Sequence, residues 1–111
     1  MENIVKTWLA DIKQAIIEIE EFLPEKRNFL EFQKDLKTKK AIERNIEIIG
    51  EAINRILNHQ PDIAITNARK IVDTRNRVIH NYDTVSEDVI WVIVNRDLPK
   101  LETEIDKLLL E

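Results

Sequence analysis

The chain has 111 residues, 43% of them hydrophobic and 34% charged, with one glycine, three prolines and no cysteine. That suits a single domain over residues 1–111 with one core. It supplies too few turn residues for a loop-rich β-sandwich or barrel, and it excludes disulfides, thiolate metal sites and a thiol nucleophile. A formal net charge of −4 argues against broad, sequence-independent nucleic-acid binding, which usually goes with a basic surface.

The opening MENIVKTWLADIKQ is broken by charge every few residues, which fits neither a signal peptide nor a membrane span. A bacterial or archaeal cytoplasm is the expected setting. A first helix is predicted from about Asn3 to Phe22, with Val5, Trp8, Leu9, Ile12, Ile16 and Ile19 as its apolar stripe. Pro24 stops it. A short helix or turn follows near Asn28 to Phe32. The second long helix is predicted from about Lys37 to Asn58. Its residues Ile42, Ile46, Ile49, Ile53 and Ile56 step by four and three, a coiled-coil-like seam. Gly50 interrupts it at a cost of about 1 kcal/mol against alanine, which points to close approach of a neighbouring helix. His59, Gln60 and Pro61 end it, with His59 an exposed helix-end residue outside any site.

The third long helix starts near Thr66 or Asn67, both suited to capping, and ends around His80 and Asn81. Its stripe is Ala68, Ile71, Val72, Val78 and Ile79. The last begins at Ser86, a good cap followed by Glu87 and Asp88, and turns Ile90, Val94, Leu101, Ile105 and Leu108 inward. Pro99 should kink it, because the carbonyl of Asn95 loses its donor. Trp8 and Trp91 read as core or dimer packing. The sum is an all-α, up-down bundle of about four to five helices with short connections.

Arg75 lies in the middle of the face that the third helix should bury. A guanidinium stays charged at any biological pH, so burial without an anionic partner is very costly. Either Glu43, Glu47 or Glu51 of the second helix pairs with it, or the face is an interface that holds a phosphate. His80 lies five positions on, roughly 140° around a continuous helix, whereas Asn76 and His80 share a face. Arg75 and His80 converge only if the helix ends before His80 or if two copies meet across a twofold axis. RNA carries its own nucleophile, the 2′-hydroxyl, so a histidine titrating near neutrality and a phosphate-binding arginine suffice to cleave it without a metal. No cofactor is implied. Arg69, Lys70 and Arg77 crowd the same stretch, opposed by Asp73. They are candidates for steering phosphate, although a solvated charged face explains each of them as well. Lys37, Lys39, Lys40 and Arg44 form a second basic run.

With these residues in view, the chain resembles the HepT-like family of HEPN-domain proteins, the toxin halves of toxin–antitoxin pairs. AIERNIEIIGEAINRI (Ala41 to Ile56) resembles the family's second-helix signature, RNRVIHNYDTV (Arg75 to Val85) its hallmark, and IVNRDLPKLE (Ile93 to Glu102) its ending. The resemblance implies a HEPN-like helical homodimer with metal-independent endoribonuclease activity at the dimer cleft. It implies Arg75 and His80 as catalytic residues, with Asn76 as their polar companion. It also implies an MNT-type nucleotidyltransferase antitoxin that can place AMP on Tyr82. The bland reading of Tyr82 is a half-buried aromatic with a locally bonded hydroxyl. Asp73 and Thr74 depart from the small or apolar residues usual before the motif arginine. Asp73 would pair with Arg77 along the helix or hold Arg75 in place. Two competing functions remain at this level: a non-catalytic subunit that binds RNA or nucleotide and docks a nucleotidyltransferase, and a purely structural helical dimer in which Arg75 is a buried salt bridge.

Overall fold

The computed structural model describes the backbone of residues 1–80 and 87–111, and the side chains of those residues except at 77–80. All regular structure among the described residues is helical: α1 (Asn3–Phe22), α2 (Phe29–Lys34), α3 (Leu36–His59), α4 (Ala68–His80), α5 (Glu87–Val92), a π-helical turn (Ile93–Asp97) and α6 (Leu98–Leu109). The last three follow one another without a break, so the bundle contains five helical rods. No helix among the described residues is long and apolar enough to cross a membrane.

Periodicity places the core. Leu9, Ile12, Ile16 and Ile19 of α1 meet Ile42, Ile46, Ile49, Ile53 and Ile56 of α3, all nearly inaccessible to solvent. Ile90, Val94, Leu98, Leu101 and Ile105 close the core from the C-terminal rod. The long elements pack in the order α4, α3, α1, α6. Ile71 and Thr74 of α4 then meet Ile93 and Leu98 at the π turn around a small apolar void. The side chains of Val78 and Ile79, expected to extend the α4 stripe, lie outside the described set. Trp91 is half-buried against Phe32 and Phe29, with ring centroids 5.0 and 5.6 Å away. Trp8 meets the edge of His59 at 5.0 Å. Both tryptophans therefore pack within the chain, and His59 is exposed at the end of α3 as expected.

Local chemistry fixes the helix ends. Asn28 caps α2, accepting from the Glu31 amide at 3.1 Å, and Asp35 caps α3, accepting from the Thr38 amide at 3.0 Å. The start of α4 works differently from the sequence expectation. Asn67 adopts a left-handed backbone, φ 60°, a conformation that asparagine tolerates better than most residues. Its carbonyl, rather than its side chain, accepts the first helical bond, from the Ile71 amide at 3.1 Å. Thr66 is anchored from α6 instead: its amide and hydroxyl donate to the Glu104 carboxylate at 2.9 and 2.8 Å. Ser86, the expected cap of the last rod, lies outside the described residues.

Pro99 stands in the first turn of α6, directly after the π turn. The Leu98 amide donates to the Ile93 carbonyl, five residues back. The missing proline donor is thus accommodated by widening the preceding turn. Asn95 turns its side-chain amide onto the Trp91 carbonyl at 2.8 Å.

Three polar links tie the rods together. Asn45, 5% exposed, donates to the Ala15 carbonyl and the Glu18 carboxylate at 3.2 and 3.1 Å. Lys13 bridges α1 to Glu102 and Asp106 of α6, and these bonds hold its ammonium pKa above the ordinary value. Lys39 of α3 donates to Glu87 at the start of α5, which lowers the Glu87 carboxyl pKa below its ordinary 4.5. A depressed carboxylate stabilises the fold above its unfolded pKa and loses that contribution as pH falls through the folded one. Stability should therefore decline as pH drops below about 4.5. In Lys39→Met the loss in urea midpoint between pH 7 and pH 3 should be smaller than in the parent, and an unchanged loss would mean the link contributes nothing.

Candidate active site

The site begins at a close contact between α3 and α4. A Cβ built on Gly50 would stand 2.2 Å from Arg75 Cβ, 2.6 Å from its Cγ and 3.5 Å from its Cδ. The arginine stem thus lies across the backbone of α3, at the one place in that helix without a side chain. The sequence expectation that Gly50 admits a neighbouring helix is met, and the residue it admits is Arg75. Any larger residue at 50 would strike the first carbon of that stem, which cannot swing away without moving the α4 backbone.

Beyond the stem, Arg75 Nε is buried without a hydrogen-bond partner. One terminal nitrogen, Nη1, donates to Asn76 Oδ1 at 2.8 Å. Among the described residues no carboxylate lies within ion-pair distance of the guanidinium. The three glutamates that α3 could have offered are engaged along their own helix: Glu43 with Lys40 at 3.9 Å, Glu47 with Arg44 at 3.4 Å, and Glu51 with Arg55 at 2.7 Å. Asp73 is exposed and forms no ion pair with Arg75, so it does not hold the guanidinium. The salt-bridge account of Arg75 has no partner here.

The bond to Asn76 also sets direction. Arg75 sits at the centre of the buried face of α4 with Ala68, Ile71 and Val72, whereas Asn76 is about 100° further round. Accepting through Oδ1 leaves the Asn76 amide nitrogen free to donate outward. A permanent cation and a neutral donor therefore meet at one edge of the α3–α4 contact, a combination suited to an anion and poorly suited to a metal ion. Among the described residues no three His, Asp or Glu side chains gather in a metal-binding cluster.

α4 runs through His80, so the helix does not end early enough to swing His80 toward Arg75. The backbone leaves the two about 140° apart within one chain, and places Asn76 and His80 on one stripe. Arg69 is exposed on that same stripe. Lys70 is exposed on another, where it lines a groove of about 330 Å³ with Asp88, Val92, Ile93 and Arg96. The structure thus separates two basic residues that adjoin in sequence. The side chains of Arg77 and His80, and Tyr82 entirely, lie outside the described residues.

A model of the family described as ribonuclease HepT-like matches residues 12–108, a span that contains every one of these positions. The chain belongs to the HepT-like family. Across 97% of its length it is 38% identical to a protein of Thermococcus cleftensis named "Probable ribonuclease HepT", covering 98% of that relative. Across 95% of its length it is 31% identical to a Methanocaldococcus jannaschii protein named as a candidate RNase, covering 87% of it. No solved structure matches the chain. Within this HepT-like protein, Gly50 is what sequence reading missed as part of the site. The available signal was its position as the lone glycine of the chain, inside a strongly apolar helix.

An unpaired guanidinium contributes little to folding. Arg75→Met, which keeps most of the stem and removes the orphaned Nε, should leave the unfolding free energy within about 1 kcal/mol of the parent or raise it. A loss of about 3–5 kcal/mol, the cost of breaking a buried ion pair, would reveal a carboxylate partner and return Arg75 to a structural role.

Proposed function

We propose that this HepT-like chain is a metal-independent endoribonuclease, the toxin of a toxin–antitoxin pair, acting as a homodimer. The observation that carries the reading is the un-neutralised Arg75 guanidinium, fixed at its stem and turned toward Asn76 and the stripe that holds His80. Family membership and the names of the relatives support the same chemistry.

In the proposed mechanism a scissile phosphate rests against Arg75, whose remaining N–H groups bind its non-bridging oxygens, while the Asn76 amide donates a further bond. One imidazole of His80 takes the proton of the adjacent 2′-hydroxyl, and the 2′-oxygen attacks phosphorus. Negative charge builds on the phosphorane oxygens, where a fixed cation with no competing carboxylate stabilises it most. The 5′-oxygen leaves with a proton, yielding a 2′,3′-cyclic phosphate and a 5′-hydroxyl. Because the 140° separation keeps Arg75 and His80 of one chain apart, the site is assembled from Arg75 of one protomer and His80 of its partner. Arg69, on the stripe of Asn76 and His80, steers the flanking backbone. Arg77 and Lys70 are weaker candidates for that role.

The partner in this reading is an MNT-type nucleotidyltransferase antitoxin. The Tyr82 oxygen attacks the α-phosphorus of ATP, loses its proton and releases pyrophosphate. The resulting phosphodiester places a negative charge two residues from His80, which repels substrate phosphate and fills its space. Intact-mass measurement after co-expression with the neighbouring nucleotidyltransferase should find added AMP on the parent and none on Tyr82→Phe. Addition to both would move the modification elsewhere.

Arg75→Ala and His80→Ala should each lower RNA cleavage by at least about 100-fold with the fold intact. Unfolded together and refolded as a mixture, the two inactive proteins should regain about a quarter of the parent rate. Half the dimers are then mixed, and each of those holds one complete site. No recovery would mean that Arg75 and His80 act within one chain. RNA binding by the parent without cyclic-phosphate ends would favour the non-catalytic binding subunit.

A further inference from the structure

Something must hold an arginine that a nuclease uses, because a mobile side chain spends freedom each time it binds phosphate. The usual anchor is a carboxylate. A carboxylate on Arg75 would cancel much of the charge the reaction draws on. Here the described residues offer no such partner, and the terminal contact, Asn76, is neutral.

We infer that Gly50 is the positioning residue for Arg75. It holds the catalytic cation by shape and leaves its charge unspent. The inference rests on the nuclease reading above, and the contact itself does not. Three consecutive carbons of the side chain, Cβ, Cγ and Cδ, lie over the missing Cβ at 2.2, 2.6 and 3.5 Å. A glycine kept only for general helix packing needs no particular side chain above it. This one is covered by the length of a single arginine stem, and the atom that follows, Nε, is enclosed without a partner. The last atoms then emerge at Asn76. Stem fixed, Nε enclosed and tip presented form one continuous path from the α3 backbone to the edge of the site. Gly50 touches neither substrate nor reacting atoms, and its effect passes entirely through Arg75.

The test uses the full chain. Gly50→Ala must push Arg75 outward, and displacement of about 1 Å can cost on the order of 100-fold. Cleavage should therefore fall by about that factor, mainly in kcat. In an Arg75→Ala background the same Gly50→Ala change should remove less than about threefold from the residual rate, because nothing remains to misplace. Equal losses in both backgrounds would overturn the inference and reduce Gly50 to packing. The unmodified protein gives a second reading that survives if Gly50→Ala does not fold. Nitrogen relaxation at Arg75 Nε should report an order parameter near that of rigid backbone, about 0.85, before any ligand is added. A value below about 0.6 would overturn the inference. Absence of RNA cleavage by the parent would sink the nuclease reading alone, while a mobile Nε in an active enzyme would sink the role of Gly50 alone.

Discussion

The absence of a side chain at position 50 is the constraint on which the site depends. Helices α3 and α4 meet where α3 presents bare backbone, and the stem of Arg75 occupies the space. Were that space filled, α4 would have to shift, carrying with it Asn76 and the helical segment that ends in His80. A single glycine, intrinsically unfavourable in a helix interior, thus sets the register between the two elements that carry the hallmark residues. Its cost is offset by apolar burial along α3, where Ile42, Ile49, Ile53 and Ile56 are wholly enclosed.

The surrounding electrostatics follow a consistent plan. Carboxylates are plentiful, yet those of α3 nearest in sequence to Gly50 are engaged with cations of their own helix. Exposed pairs of this kind add little stability. Their larger consequence is that acidic groups on α3 are occupied and do not quench Arg75. The polar groups that do bind the bundle together sit elsewhere: Asn45 between α1 and α3, Lys13 between α1 and α6, Glu104 beneath the turn that starts α4. Structural polarity and site polarity are kept apart, which lets an overall acidic protein present a local cation.

Family membership and geometry bear on different questions. The match over residues 12–108 places the chain among HepT-like ribonucleases. The separation of Arg75 and His80 around a continuous α4 comes from the coordinates. Together they make a shared site between two copies the natural arrangement for this chemistry, since one α4 cannot turn both groups to a single phosphate.

The sequence by itself determined the helices, because a 3.6-residue apolar period over α1, α3 and α6 leaves no other way to bury those residues. It also located α2 and the end of α1, through Asn28 and Pro24, and singled out Arg75 as a cation on a face that should be apolar. It could not determine how Arg75 is held. Glu43, Glu47 and Glu51 were equal candidates on spacing, and only packing showed each of them turned to a neighbour on its own helix. Nor could it foresee that Asn67 starts α4 by a left-handed backbone, that a π turn absorbs Pro99, or that Lys70 and Arg69 face different grooves. These are decided by what lies across the interface: Glu104 for Thr66, the C-terminal rod for Lys70, and Gly50 for Arg75. Periodicity is a property of one helix and is written in its residues. The partner of a side chain is a property of two helices, and it exists only once they have packed.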